Sequence, residues 1–122
     1  MTAVRGVRGA VTVERDDATL VLDATERLLR EIVDENGIDS ADVASALFTL
    51  TPDLISEFPA AAARRMGWTQ VPLLNFSEIA VAGALPRCIR VLLHVNTDKA
   101  QSEIVHVYLE GARVLRPDLE RS

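Results

Sequence analysis

Cysteine is almost absent from this sequence: Cys88 stands alone, so no internal disulfide can form and a reducing compartment is favoured. No apolar run approaches the roughly 20 residues that a membrane-spanning helix needs, and residues 1–6 lack the apolar centre of a secretory signal. The formal net charge of −5 argues against a nucleic-acid-binding surface, which usually needs a positive excess. We therefore expect a cytoplasmic protein that binds neither membrane nor nucleic acid.

Several motifs that mark enzymes are also missing. There is no phosphate-binding glycine loop, and Arg5-Gly6-Val7-Arg8-Gly9 has the wrong glycine spacing for a dinucleotide site. The two histidines, His94 and His106, belong to no metal-binding spacing, and a lone histidine on a strand is usually structural. Cys88 has no base near it in sequence, so we interpret it as a small buried apolar residue. The sequence indicates neither a metal nor a cofactor.

The most informative residue that is present is an arginine in the middle of an apolar strand. Arg90 lies within residues 88–95, which are otherwise compatible with burial. A guanidinium cannot lose its charge to escape burial, so it must face an anion. That anion is either an internal partner, Glu78 or Asp98, or a ligand.

Two more arginines, Arg8 and Arg116, lie in similarly apolar segments. Of the 13 basic residues only Lys99 is a lysine. Coding bias would explain this preference for arginine, and so would a need for bidentate recognition of carboxylates; both causes can act together. The pattern predicts a site that holds a small dianion among fixed guanidinium groups. The alternative for Arg116 is an ordinary tail residue.

The order of elements predicts a mixed sheet in a single domain, residues 1–122, with 116–122 as a mobile tail. Apolar residues follow the helical period over 19–36, with Asp16 or Asp17 as the cap and Gly37 after the end. Five strands are expected at 4–13, 43–51, 71–76, 87–97 and 104–110, and short helical segments at 39–42 and 60–66. We predict an α/β (α+β) fold, a mixed five-stranded sheet with one long and two short helices on one face. The other face needs a neighbouring subunit to cover it.

Other candidate site residues have plain alternatives. Tyr108 is either a ligand contact or a half-buried aromatic with its hydroxyl at the rim. Glu78 is either a partner in the site or a solvated loop charge. Arg64 and Arg65 end a short helix, where cations suit the helix dipole in any case.

A set of fragments in fixed order carries a family resemblance. They are Arg5-Gly6-Val7-Arg8-Gly9-Ala10, Val13-Glu14-Arg15-Asp16, Thr51-Pro52-Asp53-Leu54, Phe58-Pro59-Ala60, Gly67-Trp68, Val71-Pro72, Cys88-Ile89-Arg90-Val91, His106-Val107-Tyr108-Leu109-Glu110 and Val114-Leu115-Arg116-Pro117-Asp118-Leu119. Together they resemble the trimeric α/β-barrel chorismate mutases, the Bacillus-type class that is unrelated to the all-helical one. Each fragment is weak alone, but their order over residues 4–119 is specific.

The resemblance implies an isomerase that converts chorismate to prephenate, as a pseudo-α/β-barrel homotrimer with active sites at the subunit interfaces. Arg90 is implied to contact the ether oxygen and a carboxylate, Arg8 and Tyr108 the other carboxylate, and Glu78 the ring hydroxyl. The remaining implied contacts are Leu73, Leu74 and Asn75 from the third strand, Phe58, Ala60 and Arg64 from the neighbouring subunit, and Leu115 and Arg116 from the tail. The reaction needs no cofactor and no metal.

Two positions depart from the Bacillus-type pattern. Asn75 stands where those members have cysteine, and its amide can still donate to the ring hydroxyl. Ala61 stands where they have lysine, so one peripheral cation is lost, and Arg65 is expected to compensate in part by its charge.

Two other functions remain open at this point. A small trimeric imine or enamine hydrolase of similar assembly also uses an arginine to bind a carboxylate. A sensor of aromatic carboxylates would bind the same ligands without turnover.

Overall fold

The computed structural model describes residues 2–115 of the chain. Its strands are β1 (Ala3–Thr12), β2 (Val43–Leu50), β3 (Leu73–Ser77), β4 (Cys88–Thr97) and β5 (Val107–Leu109), and its α-helices are α1 (Ala18–Asn36) and α2 (Ala60–Arg65). Short 3₁₀ helices occupy Ser40–Asp42, Gln101–Glu103 and Glu110–Leu115. The expected tail, 116–122, lies outside the described residues.

The five strands form one mixed sheet in the order β3-β2-β4-β1-β5. The central strand β4 runs antiparallel to β2 and to β1, and the edge strands β3 and β5 run parallel to their inner neighbours. The prediction of a mixed five-stranded sheet with helices on one face is therefore confirmed. The first four strands differ from their predicted bounds by no more than a few residues.

The long helix α1 begins and ends at the signals that the sequence contains. Asp17 is the cap, and its Oδ1 accepts from the Leu20 amide at 3.1 Å. Gly37 ends the helix with φ 61°, a left-handed conformation that glycine adopts at little cost. The buried stripe of α1 includes Leu28, Leu29 and Ile32.

The core lies between α1, α2 and one face of the sheet. Gly9 of β1 lies directly under α1, and a Cβ at this position would be 2.7 Å from Ile32 Cδ1 and 3.0 Å from Leu28 Cδ1. Phe48 and Leu93, both fully buried, fill the same layer from β2 and β4. Glycine at position 9 therefore allows the helix to approach the strand closely.

The fifth strand is much shorter than predicted. We expected a strand over 104–110, but β5 covers only Val107–Leu109, because it is an edge strand that pairs with three residues of β1. Glu110 ends it with φ 55°, and the 3₁₀ helix Glu110–Leu115 follows. This helix packs its Ala112 against Ala10 and Cys88.

The face of the sheet opposite α1 carries exposed apolar side chains. Val4 is 58% exposed, Leu74 57% and Phe76 47%. Leu47 and Leu92 are half-buried on the same face. No helix within residues 2–115 is long and apolar enough to cross a bilayer.

Candidate active site

The strand register brings the expected cations to one face of the sheet. Arg90 lies on β4 between Ala10 of β1 and Thr49 of β2. Tyr108 of β5 is also paired with Ala10. Because residues that pair across strands point to the same face, Arg90 and Tyr108 share the face opposite α1, and Arg8 lies two residues along β1 on that face.

These residues surround a small cavity. Arg8, Arg90, Tyr108 and Leu115 line a volume of about 210 Å³. The Arg8 guanidinium is exposed and has no ion-pair partner among residues 2–115. Four of the residues expected at the site therefore meet in one place, and one of the cations there is available to a ligand.

A larger hollow of about 300 Å³ lies at the other end of the sheet, and it contains the chain's one lysine. Lys99 Nζ donates to the backbone oxygen of Asn36 at 2.7 Å, at the carboxyl end of α1. The Lys99 ammonium is therefore hydrogen-bonded to the end of α1 and is not aimed at a ligand. The cavity beside Arg90 is smaller, but it contains the guanidinium groups that the sequence predicts for a dianion site.

Arg90 is paired with Glu78. Its Nε lies 3.2 Å from Glu78 Oε2, and the side chains are 41% and 20% exposed. The Nε–H is buried and is not aligned on any acceptor within the described residues, so the contact is an ion pair without a well-formed hydrogen bond. Of the two internal partners considered, Glu78 is the one present, whereas Asp98 follows the far end of β4. The pair leaves the guanidinium partly open to the cavity.

Glu78 is held in place from its backbone and its side chain. Its amide donates to the Leu50 carbonyl at 2.8 Å. The Thr49 hydroxyl donates to Oε2, the same oxygen that faces Arg90. Oε1 accepts no hydrogen bond from any residue between 2 and 115. Glu78 is therefore a fixed partner rather than a solvated loop charge, and it presents one open acceptor.

The start of β4 is secured by a network that the sequence analysis missed. Thr51 Oγ1 accepts from the Cys88 amide at 3.0 Å, and Asp53 accepts from the Arg87 amide at 2.9 Å. Arg87 has φ 49°, a strained conformation for a residue with a side chain. Nothing local in Thr51-Pro52-Asp53 indicates these long-range contacts.

The side chain of His106 holds the backbone of β1 at Arg8. Its Nδ1 accepts the Arg8 backbone N–H at 3.0 Å. The ladder between β1 and β5 starts only at Gly9, so the imidazole replaces the strand acceptor that is missing one residue earlier. Burial lowers the pKa of His106, which favours the neutral ring that can accept this bond. The expectation of a structural histidine fits this contact.

Cys88 lies beneath the site as a fully buried thiol packed with Ala10 and Ala112. Burial, only partly offset by the nearby Arg90 charge, raises the pKa of this thiol to about 11. A thiol of this kind is a poor nucleophile near neutral pH. This agrees with its interpretation as a small apolar residue.

Two of the contacts expected from the third strand lie on the opposite side of the sheet. Leu73 and Asn75 pair with Ala46 and Phe48, both buried beneath the helices, so they share the helix-bearing face. Asn75 Oδ1 accepts from the Ala60 amide at 3.0 Å, which joins β3 to the start of α2. Within residues 2–115 the Asn75 amide nitrogen donates no hydrogen bond, so its donor is available.

The segment around α2 adds an exposed aromatic residue and an unpaired cation. Phe58 is 63% exposed, and Arg64 is exposed without an ion-pair partner in the described part of the chain. Ala60 is fully buried, so only its backbone could contact a ligand.

Asp16 holds the loop that precedes α2. It accepts hydrogen bonds from the amides of Ile55 and Ser56, and a hydrogen bond with the Ser56 side chain is the main cause that lowers the Asp16 pKa.

The expectation that Arg65 compensates for Ala61 is wrong. Arg65 donates to Glu26 at 2.8 Å and to Asp23 at 3.0 Å, so its charge is engaged on the outer surface of α1. These two carboxylates also raise the pKa of Arg65. The cation that the pattern loses at residue 61 is therefore not replaced by its neighbour.

Three further expected contacts lie at the cavity-bearing face or towards the end of the chain. Leu74 lies on the cavity-bearing face of the sheet, but on the edge strand β3 and away from Tyr108 on β5. Leu115 lines the cavity as the last described residue. Arg116 lies outside the described residues.

Comparison with known proteins gives a consistent result. Residues 4–119 match the family model described as chorismate mutase type I. The chain is 52% identical over 118 residues to the chorismate mutase AroH of Thermus thermophilus, covering 96% of this chain and 97% of that one. It is 49% identical over 117 residues to the chorismate mutase AroH of Bacillus subtilis, covering 95% and 92%. A solved chorismate mutase from Clostridium thermocellum superposes with a TM-score of 0.88 at 49% identity, over 89% of this chain and 97% of that chain.

Proposed function

The chain belongs to the chorismate mutase type I family and is a chorismate mutase, and from that premise we propose how its residues act. The substrate is chorismate, which is converted to prephenate at a site shared by two subunits of a homotrimer. Arg90 is the catalytic cation. The observation that carries this proposal is the partly open guanidinium of Arg90 in a cavity that also contains Arg8 and Tyr108.

The reaction itself explains why a cation is enough. The rearrangement of chorismate is a unimolecular pericyclic process that requires no nucleophile and no proton transfer. The carbon–oxygen bond breaks ahead of carbon–carbon bond formation, so negative charge grows on the ether oxygen. A fixed guanidinium beside that oxygen stabilises the transition state more than the bound substrate. An acceleration of about a million-fold would correspond to about 8 kcal/mol.

The second contribution is selection of the reactive conformer. Chorismate carries two carboxylates, and clamping both in a compact, diaxial-like form brings the reacting carbons together. Arg90 and one carboxylate form one contact, while Arg8 and Tyr108 hold the other carboxylate. Leu115 lines the same cavity, and we propose that Leu115 and Arg116 close over the substrate.

The ring hydroxyl is bound between an acceptor and a donor. Glu78 Oε1, which has no hydrogen-bond partner in the described part of the chain, accepts a hydrogen bond from the hydroxyl. The free amide nitrogen of Asn75 donates to the hydroxyl oxygen. Asn75 therefore takes over a contact at the position where Bacillus-type members have cysteine.

The sheet divides the proposed contacts into two groups. Arg8, Glu78, Arg90, Tyr108 and Leu115 belong to the face opposite α1, and Phe58, Ala60, Arg64, Leu73 and Asn75 belong to the helix side. A single pocket that touches both groups needs two subunits. We propose that the second group, including Leu73 and Asn75, comes from the neighbour, because Asn75 is bonded directly to Ala60. This revises the initial assignment of β3 to the same subunit as Arg90.

The homotrimer also gives the uncovered sheet face a partner. Exposed Leu74, Phe76 and Val4 lie there, and patches of this kind usually mark an interface. Leu74 contributes to the site by lying at that interface. We propose a cytoplasmic location, which a single buried free cysteine supports.

The decisive experiment is an assay of the purified protein with chorismate, following the loss of the diene absorbance, together with the mass in solution. We expect turnover to prephenate and a mass of three chains. Tight binding of prephenate without turnover of chorismate would favour a sensor, and hydrolysis of an imine with no activity on chorismate would favour the hydrolase. Either result would contradict the proposal.

A further inference from the structure

Thr49 is the residue that aims Glu78. The Thr49 hydroxyl donates to Glu78 Oε2, and this oxygen also lies 3.2 Å from Arg90 Nε. Thr49 is itself the register partner of Arg90 on the neighbouring strand. One carboxylate oxygen is therefore held from two sides by two adjacent strands.

The direction of this hydrogen bond determines which oxygen the ligand meets. With Oε2 held by Thr49 and Arg90, Oε1 is left without a partner among residues 2–115. Without the Thr49 donor, the carboxylate would be free to turn and form a two-oxygen contact with the guanidinium of Arg90, which favours bidentate pairs. Such a pair would withdraw Arg90 from the cavity and occupy the acceptor that the substrate needs.

We propose that Thr49 is a positioning residue that fixes the Glu78 carboxylate so that Arg90 stays available to the substrate. The inference rests on the proposed roles of Glu78 and Arg90. It assigns Thr49 no contact with the substrate. The sequence offers only a hydroxyl in an alternating strand, so the role emerges from the pairing of β2 with β4.

The test compares variants at residue 49 in the chorismate assay. Thr49→Val keeps the branched shape and removes the donor, and kcat should fall about tenfold, the scale of one hydrogen bond to a charged group. Thr49→Ser restores the donor and should stay within about twofold of the parent. Thr97→Val, at the far end of β4, is the matched control and should also stay within about twofold. Circular dichroism and thermal midpoints establish that each variant folds, and Thr49→Ala replaces Thr49→Val if the latter does not.

A double-mutant cycle separates positioning from general stability. In the Glu78→Ala background, adding Thr49→Val should change kcat by less than about twofold, because the group on which Thr49 acts is gone. A full parental kcat in Thr49→Val, or the same tenfold loss with and without Glu78, would overturn the inference while leaving chorismate turnover by the parent intact. Absence of turnover by the parent would overturn the proposed function and this inference together.

Discussion

Replacing the charge of Arg90 while keeping its shape is the most direct test of the catalytic account. Citrulline has the geometry of arginine but a neutral urea group, so it fits between Ala10 and Thr49 without a packing change. Arg90→Lys keeps a cation but loses the planar fork, and Arg90→Ala removes both charge and donors. The three substitutions separate charge, geometry and bulk at a single position.

The expected magnitude follows from the electrostatics of a partly buried cation. A unit positive charge about 3 Å from a unit negative charge gains about 5 kcal/mol at an effective dielectric constant of about 20. The ether oxygen acquires only part of a charge in the transition state, so about 3 kcal/mol is a reasonable share, or about 10²-fold in kcat. Loss of a single oxyanion donor in other enzymes has a similar effect, about 10² to 10³. We expect about 10²-fold for citrulline and about 10³-fold or more for Arg90→Ala.

Glu78 complicates the measurement in a way that can be controlled. Removing the cation leaves its carboxylate, 20% exposed, unbalanced beside a dianionic substrate. That repulsion acts on bound substrate and transition state alike and therefore appears in KM more than in kcat. Combining citrulline at position 90 with Glu78→Gln removes the repulsion. The raised KM should then fall partway towards the parental value, while kcat should stay low.

The assay is steady-state turnover of chorismate, with Arg30→Ala as the control variant. Arg30 is paired with Glu26 on the outer surface of α1 and is 60% exposed, so its loss should change kcat by less than about twofold. A citrulline variant with parental kcat would refute the electrostatic argument, since only the charge has been removed.

The remaining predictions concern stability, reactivity and assembly. Burial lowers the pKa of His106 from its ordinary 6.5, so below pH 6.5 the unfolded chain binds a proton that the folded chain does not. The contribution of His106 to stability is therefore full above pH 6.5 and falls below it. In His106→Asn the thermal midpoint should depend less on pH between pH 6.5 and about pH 5. Because the Cys88 pKa is raised to about 11 from 9.0, alkylation by iodoacetamide near neutral pH should be about 100-fold slower in the folded than in the unfolded protein, and equal rates would contradict its burial. Leu74→Glu places a charge on the uncovered sheet face, so light scattering should show a mass of one chain instead of three, and an unchanged mass would count against this interface.

The parts of the fold that were predictable are those coded by local periodicity. The apolar stripe of α1 and its flanking Asp17 and Gly37 act within one helix, so their effect can be recognised without knowing what lies nearby. β5 could not be bounded in this way. Its alternation extends over 104–110, but only Val107–Leu109 pair with β1, and the alternation does not show where that pairing stops.

The candidate site shows the same division between local and long-range information. An arginine in an apolar strand is visible in sequence, and Arg90 lies where that pattern suggested. The contacts of Thr49, Asp53 and His106 join residues 29 to 98 positions apart, so no local pattern marks them. Leu73, Leu74 and Asn75 were expected together in the site, and the strand pairing separates Leu74 from the other two, because alternate side chains point to opposite faces.

The incomplete cavity and the uncovered apolar face have one physical explanation if subunits assemble on this surface. In a single subunit, the Arg90 side chain is 41% exposed, and water would screen its field. An interaction of two unit charges at about 4 Å is worth about 1 kcal/mol in water and about 4 kcal/mol at the effective dielectric constant of a partly buried site. Covering the face of Leu74 and Phe76 with a neighbour would therefore strengthen the field of the guanidinium that we propose as the catalytic cation. Apolar contacts that contain no catalytic group would in this way contribute to the rate, through the water that they exclude.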